Sequence, residues 1–251
     1  MWKFIVLYMV FTYSLFAYVD SDFDGVDDGV DLCLDTPFEY TVDRDGCRVG
    51  YKGKIRANFG VDIVDGDKLW NLYLAYEYQR YELSISTSIN RVMLDNLIDE
   101  NDLYLKFSYL FVSDSFEIKS GFGVKFYLLD EVDYSSDYFV FSSLDYRFSD
   151  GFDYLGYFSY TFDNQKRSLN YQDYYTISSG VGYGIDDEIY LSILYSYTSS
   201  YIKDRTAFDS ISLSASYSFR DNLYGLINYQ HSLSDDVYQD ILSFNIGVSF
   251  E

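Results

Sequence analysis

Near its C-terminus the chain reads Ile211-Ser-Leu-Ser-Ala-Ser-Tyr-Ser-Phe219, with apolar or aromatic residues at odd positions and serines at even ones. In the final run, from Leu242 to Phe250, the even positions are apolar, and the residues between them are Ser243, Asn245, Gly247 and Ser249. Successive side chains of a β-strand point to opposite faces, so a period of two indicates one apolar and one polar face. Both segments are therefore predicted to be strands.

The same alternation recurs from about Lys52 onward and gives twelve candidate strands. Each is close to the roughly 9–11 residues that a tilted strand needs to cross the hydrocarbon layer. Bacterial outer-membrane barrels have an even strand number, short periplasmic turns and longer external loops. The chain shows the same alternation of tight turns, at 79–80, 113–114, 149–151, 186–187 and 221–222, with longer polar loops, near 91–101, 127–136, 163–172, 199–207 and 233–239.

This organisation predicts an all-β fold, a transmembrane antiparallel β-barrel of about twelve strands over residues 51–251. Its apolar faces would meet outer-membrane lipid in a Gram-negative cell, and it would be a monomer with both ends in the periplasm. Tyrosine, at 30 residues, is abundant in the chain, and this residue favours the membrane–water boundary. The alternative is a tyrosine-rich soluble β-protein.

The formal net charge is −22, with acidic residues concentrated in the N-terminal segment and the predicted turns. A strongly negative chain repels nucleic acid, which excludes nucleic acid as a partner. Acidic turns stay solvated, and divalent cations could bridge them to anionic lipid head groups.

Residues 1–17 have the layout of a secretory signal peptide, because Lys3 precedes an apolar run that ends at the small residue Ala17. The run is too short to span a bilayer as a helix, which needs about 20 residues. We therefore expect the mature protein to be exported.

Residues 18–50 form a second predicted module, rich in aspartate. Carboxylates stand at positions 1, 3, 5, 9 and 12 of a loop with the spacing of an EF-hand, and glycine stands at position 6. Calcium accepts many oxygen ligands in a forgiving geometry. The sequence thus predicts Ca2+ as a cofactor, bound by Asp20, Asp22, Asp24, the carbonyl of Val26, Asp28 and Asp31. The alternative is a solvated acidic linker.

The segment from Asp20 to Cys47 resembles a thrombospondin type 3 repeat of the form found in OmpA-type outer-membrane proteins. The resemblance rests on Asp-x-Asp-x-Asp-Gly-Val-x-Asp, on Asp-Thr-Pro at 35–37 and on Asp-x-Asp-Gly-Cys at 43–47. It implies calcium binding by these aspartates, a disulfide between the ends, and a periplasmic module in which Asp35, Asp43 and Asp45 could hold a second ion.

Cys33 and Cys47 are the only cysteines, and an exported chain meets an oxidising compartment, so we expect them to form a disulfide. Closing a loop of about 15 residues contributes about 3 kcal/mol by the loop-entropy estimate. At the other end of the chain, Val248-Ser-Phe250-Glu251 resembles the C-terminal signal of bacterial outer-membrane proteins. That resemblance implies the barrel-assembly machinery as a partner.

On each strand, the residues that alternate with the apolar ones point to the opposite face. These residues are predicted to line the lumen. Strands eight to twelve contribute mostly serine, threonine and glycine there, while the earlier strands contribute charges of both signs. We predict a selectivity-setting cluster of cations with carboxylate partners, consisting of Lys54, Arg56, Lys106, Lys119, Lys125 and Arg147 with Glu77, Glu82, Glu117 and Asp145.

Two functions remain open for such a lumen. Barrels of about eight strands are filled by side chains and those of about sixteen hold an open channel, so twelve strands do not decide between them. Because small residues on the later strands leave room, we predict a narrow, porin-like passive channel for small solutes. The alternative is a structural or adhesion barrel of the envelope with a plugged lumen.

An enzyme is the third class considered. Barrel lipases use a histidine beside a serine on the outer surface, and His231 is followed by Ser232 and Ser234. The spacing differs from the pattern of those enzymes, and the sequence fixes no carboxylate or amide that would orient the ring. We therefore predict that the protein is not an enzyme.

Overall fold

A computed structural model describes residues 20–36, 40–50, 52–64, 67–90, 102–113, 115–127, 136–149, 151–164, 172–186, 188–201, 206–234 and 240–250. The chain divides into two compact units between Tyr51 and Lys52. The predicted signal peptide and most of the predicted longer loops lie outside the described residues. Within the part of the chain that is described, no helix is long and apolar enough to cross a membrane.

The described residues of the second unit form twelve strands, as the alternation predicted. They are β1 (Lys54–Val64), β2 (Asp67–Tyr78), β3 (Tyr81–Asn90), β4 (Asp102–Ser113), β5 (Phe116–Tyr127), β6 (Ser136–Ser149), β7 (Phe152–Phe162), β8 (Tyr174–Gly184), β9 (Ile189–Thr198), β10 (Phe208–Arg220), β11 (Leu223–Ser232) and β12 (Asp240–Phe250).

Each strand pairs antiparallel with its neighbour in the chain, and β1 pairs with β12 to close the barrel. The closing register places Ile55 opposite Phe250. Closure removes the free sheet edges that would otherwise expose unpaired backbone groups. The predicted fold, a closed antiparallel barrel of twelve strands, is confirmed.

The apolar side chains of this unit lie mainly on its outside. Phe59, Leu213 and Ile246 are each half or more exposed. Among the described residues of the barrel, the buried apolar side chains are only Val64, Ala75 and Phe139. Exposed apolar surface costs about 25 cal/mol per Å² in water, so this surface suits hydrocarbon and not an aqueous solvent.

Tyrosine hydroxyls on the outer face donate hydrogen bonds to carboxylates at the loop ends of two hairpins, β7–β8 and β11–β12. Tyr160 donates to Asp173 at 3.1 Å and Tyr229 donates to Asp240 at 2.5 Å. On the hairpin β9–β10, Tyr195 lies near enough to the Asp209 carboxylate for the two groups to interact. Such a ring, with its body in the apolar layer and its hydroxyl on a polar partner, is suited to a membrane–water boundary.

The described residues of the first unit form turns that are tied by a disulfide between Cys33 and Cys47, whose Cα atoms are 4.9 Å apart. The Leu32 amide donates to the Asp45 carbonyl at 2.8 Å. Asp31 is fully buried, and its Oδ1 accepts the Cys33 amide at 2.7 Å. Gly46 has a φ of 74° and a β-carbon there would overlap the Asp31 carboxylate, so this close approach requires glycine.

Candidate functional site

Glu82 is the centre of a charged network inside the barrel. Its Oε2 atom accepts Arg56 Nη2 at 2.6 Å and Lys119 Nζ at 3.0 Å. Glu77 forms a second ion pair with Arg56, and the Tyr73 hydroxyl donates to Glu82 Oε1 at 3.3 Å. The network joins β1, β2, β3 and β5. Two cations and two carboxylates compensate one another, and the shared partners hold the side chains in place.

A second charged group lies at the loop ends of β4, β5 and β6. Lys125 Nζ is 2.6 Å from Asp102 Oδ2, and both side chains are largely buried. The Tyr127 hydroxyl donates to Asp137 Oδ2 at 2.5 Å, and the Asn164 amide donates to Oδ1 of the same carboxylate at 3.1 Å. Asp102 and Asp137 were not among the residues predicted from the sequence, because they are the first residue of β4 and the second residue of β6, each next to an acidic loop.

Glu117 and Asp145 were predicted to be partners of the lumen cations, and the structure places them differently. Glu117 lies opposite Asp145 across β5 and β6, and neither makes an ion pair within the described residues. Arg147 instead approaches Asp153 at 3.7 Å, with 71% of its side chain exposed. The strand register brings these like charges side by side, and alternation alone does not give the register.

Two predicted cations, Lys54 and Lys106, form no ion pair with any described residue. Lys54 is the first residue of β1 and lies opposite Glu77 in the register. Lys106 lies in the middle of β4, opposite Gly123. Its ammonium is 5.8 Å from the ring centroid of Tyr104 and 6.0 Å from that of Phe141.

A cavity of about 640 Å³ lies in the barrel beside the Glu82 network. Its polar wall carries amides, hydroxyls and the two cations of that network. The residues around it are Arg56, Asn58, Asn71, Leu72, Tyr73, Ser86, Thr87, Tyr104, Lys119, Tyr224, Leu226 and Asn245. The volume lies within the range of about 300–1,000 Å³ that is typical of small-molecule sites.

The opposite wall is built from hydroxyl groups, as the serine-rich strands predicted. Thr176 and Thr198 Oγ1 atoms are 3.0 Å apart, and Ser178 and Ser196 Oγ atoms are 2.7 Å apart. On β10 the Ser214 hydroxyl donates to Asn228 at 2.7 Å. This wall is neutral, so the lumen has one charged side and one uncharged side.

Aromatic rings inside the barrel were missed by the sequence analysis. A β-carbon on Gly182 would overlap Tyr190, one on Gly247 would overlap Tyr224, and one on Gly123 would overlap Phe139. The small residues therefore leave less room than expected, because rings from neighbouring strands cover these glycines. The sequence does contain a signal for these rings. On β6, β9 and β11 these aromatic residues alternate in step with the polar residues, which places them on the inward face.

His231 has an orienting carboxylate that the sequence did not reveal. Its Nδ1 atom is 3.0 Å from Asp240 Oδ1, on the neighbouring strand β12. The Ser232 hydroxyl, however, donates to the Ser234 carbonyl at 3.2 Å. Within the described residues the histidine is thus paired with an acid and not with a serine.

In the first unit, ligand atoms of Asp20, Asp22 and Asp24 lie within 4.8 Å of one another. The loop is folded by its own carboxylates, since Asp20 Oδ2 accepts the Gly25 amide at 3.0 Å and Asp24 Oδ1 accepts the Val26 amide at 2.8 Å. Burial raises the pKa of Asp22, as do the adjacent charges of Asp24 and Asp20, while hydrogen bonds from backbone amides oppose the rise.

The other four predicted carboxylate ligands make contacts within the unit. Asp28 accepts the backbone amide and hydroxyl of Ser21 at 2.9 and 2.6 Å. Asp31 is buried against Cys33, as described above. Asp43 Oδ1 accepts the amides of Asp45 and Cys47 at 2.9 and 3.1 Å, and Asp45 approaches Arg44 at 3.4 Å.

No protein-family model matches the sequence, and no curated protein matches it either. Solved porin structures share the fold. A structure of the NanC porin aligns with 78% of this chain and 99% of its own, with a TM-score of 0.60 and 13% identity. The KdgM porin aligns over the same shares with a TM-score of 0.60 and 14% identity. At such identities the likeness concerns the barrel fold alone.

Proposed function

We propose that this chain is a narrow passive channel for small solutes in the outer membrane of a Gram-negative cell. The observation that carries the proposal is the 640 Å³ cavity among amide, hydroxyl and charged side chains inside a closed barrel. A polar lumen behind an apolar exterior is the arrangement of outer-membrane barrels that conduct. The shared fold with two porins supports the same proposal.

The second candidate is a structural or adhesion barrel with a plugged lumen. The Glu82 network and the inward rings of Phe139, Tyr190 and Tyr224 favour it, because both occupy space inside the barrel. Because the network pairs its own cations and carboxylates, it needs no solute to compensate their charges.

Single-channel recording in planar bilayers separates the two candidates. The channel proposal expects reproducible conductance steps from protein whose folding is verified by its heat-modifiable electrophoretic mobility. Folded protein that inserts and stays silent would instead support the plugged barrel.

For the first unit we propose calcium binding. The three carboxylates of Asp20, Asp22 and Asp24 supply the hard oxygen donors that calcium prefers. Val26, Asp28 and Asp31 complete the proposed set, and Asp43 and Asp45 are proposed for a second ion. A bound ion would neutralise the carboxylates and stabilise a module whose described residues bury little apolar surface. Calorimetric titration with calcium tests this, and an absence of binding heat would refute it.

The remaining proposals concern location and partners. We propose that the module lies in the periplasm, that the barrel-assembly machinery recognises the C-terminal strand, and that the protein has no enzymatic activity. The pairing of His231 with Asp240, instead of with a serine, is consistent with the last point.

A further inference from the structure

Lys106 differs in its surroundings from Arg56, Lys119 and Lys125. Arg56 and Lys119 share Glu82, and Lys125 is paired with Asp102. Lys106 makes no ion pair with a described residue and faces aromatic rings. A cation near ring faces keeps its charge available to an incoming anion, while the rings replace part of its hydration.

The rings around Lys106 form a continuous group. Phe139 lies 6.1 Å from Tyr104 at an interplanar angle of 71°, and 6.1 Å from Phe141 at 37°. The register explains the arrangement, because Lys106 lies opposite Gly123 and Gly123 lies opposite Phe139. The missing side chain at Gly123 lets the Phe139 ring lie across that position, next to Lys106.

This group adjoins the cavity. Tyr104 contacts the cavity and also stands nearest to the Lys106 ammonium among the rings. The Tyr104 ring thus connects the cavity to Lys106, whose charge is compensated at longer range by Glu82 and not by an ion pair with a described residue. A solute in the cavity meets this ring directly. On the other side it meets the neutral amides of Asn58 and Asn245.

We infer that Lys106, Tyr104 and Phe141 form a binding station for small organic anions that carry a flat ring, such as aromatic carboxylates. The inference deepens the proposed channel function and rests on it for its role in transport. The carboxylate of the solute compensates Lys106, and its ring packs on the aromatic group. Small inorganic anions gain only the first contact, and neutral aromatic solutes gain only the second.

The test uses the full chain in detergent and in planar bilayers, with benzoate as the probe. Benzamide, chloride and glucuronate are the comparison solutes. Benzamide lacks the charge, chloride lacks the ring, and the ring of glucuronate is not flat. Binding of the organic solutes is followed by saturation-transfer NMR in detergent, which does not require conduction. Binding of chloride is followed by its displacement of benzoate in the same experiment. Block of the single-channel current is followed in bilayers.

We expect benzoate to bind and to block, and benzamide, chloride and glucuronate to do so at least tenfold more weakly. Lys106→Met should raise the benzoate concentration for half-saturation at least tenfold, Phe141→Leu should raise it several-fold, and Lys106→Arg should leave it within about threefold. Lys68→Met is the matched control, because it removes the same charge from an exposed position of β2 outside the predicted cluster and should leave benzoate binding unchanged.

Equal effects of Lys68→Met and Lys106→Met would overturn the inference, because they would indicate a general electrostatic attraction. Equal binding of glucuronate and benzoate would also overturn it. A conducting protein that does not bind benzoate refutes the station and leaves the channel intact. A silent protein that binds benzoate through Lys106 refutes the channel and supports the station.

Discussion

The Tyr224 ring lies across Gly247 of the neighbouring strand, where a β-carbon would overlap it. Tyr224 also contacts the lumen cavity. The small residue Gly247 was expected to leave open space at this position, but the ring fills it. The ring therefore narrows the path through the barrel on the uncharged side of the lumen.

Replacing Tyr224 with alanine should therefore enlarge the lumen. We expect Tyr224→Ala to raise the single-channel conductance by at least half, because the removed ring opens space next to the cavity. Tyr217→Ala is the matched control, since Tyr217 is 41% exposed on the outer face and its loss should leave the conductance unchanged. An equal conductance in wild type and Tyr224→Ala would show that the narrowest point lies elsewhere.

Removing the charge of Glu82 should change the ion selectivity. Glu82→Gln leaves Arg56 and Lys119 with one carboxylate fewer, so the reversal potential in a salt gradient should shift towards anions. The free energy of unfolding should fall on the order of 1–3 kcal/mol, because charged groups lose a hydrogen-bond partner. Glu188→Gln, at an exposed turn, serves as the control for a general charge effect and should change neither quantity.

The disulfide should matter to the first unit alone. We expect the double substitution Cys33→Ser with Cys47→Ser to destabilise residues 18–50 by about 3 kcal/mol, through the larger freedom of the unfolded loop. The measurement is limited proteolysis followed by mass spectrometry. The unfolding temperature of the barrel should stay constant in the same samples, and a parallel loss of barrel stability would contradict the independence of the two units.

Calcium affinity should depend on position within the acidic loop and not on charge alone. Asp22→Asn should weaken calcium binding at least tenfold, because it removes one of three clustered carboxylates. Asp27→Asn removes the same charge outside the proposed ligand set, and its side-chain oxygen can still accept the Gly29 amide. Comparable losses in the two variants would indicate a diffuse electrostatic attraction instead of a site.

The sequence was sufficient for the strands and their faces, because alternation is a local property. From Ile211 to Phe219 it assigned the exposed side of β10 correctly, and the same reasoning gave all twelve strands. It could not give the partners of Glu117 or Lys125, which depend on the register between strands. The sequence analysis also overlooked Phe139, because β6 carries aromatic residues at both its inward-facing and its outward-facing positions.

The acidic loop shows a similar division. The spacing of Asp20, Asp22 and Asp24 was enough to bring their carboxylates together. Asp28 and Asp31 belong to the same motif, but their carboxylates accept hydrogen bonds from the amides of Ser21 and Cys33, respectively. Such contacts depend on how the chain folds back on itself, which the motif does not encode.

The central claim is that the polar residues of each strand face water inside the barrel and that the apolar residues between them face lipid outside it. The described residues contain no free cysteine, so single cysteines can be introduced at neighbouring positions of β10 and treated with a membrane-impermeant, charged thiol reagent in lipid vesicles. We predict that Ser212→Cys reacts and that its modification reduces the single-channel current, while Leu213→Cys does not react. Reaction at position 213, or none at position 212, would contradict a water-filled lumen behind a lipid-facing wall.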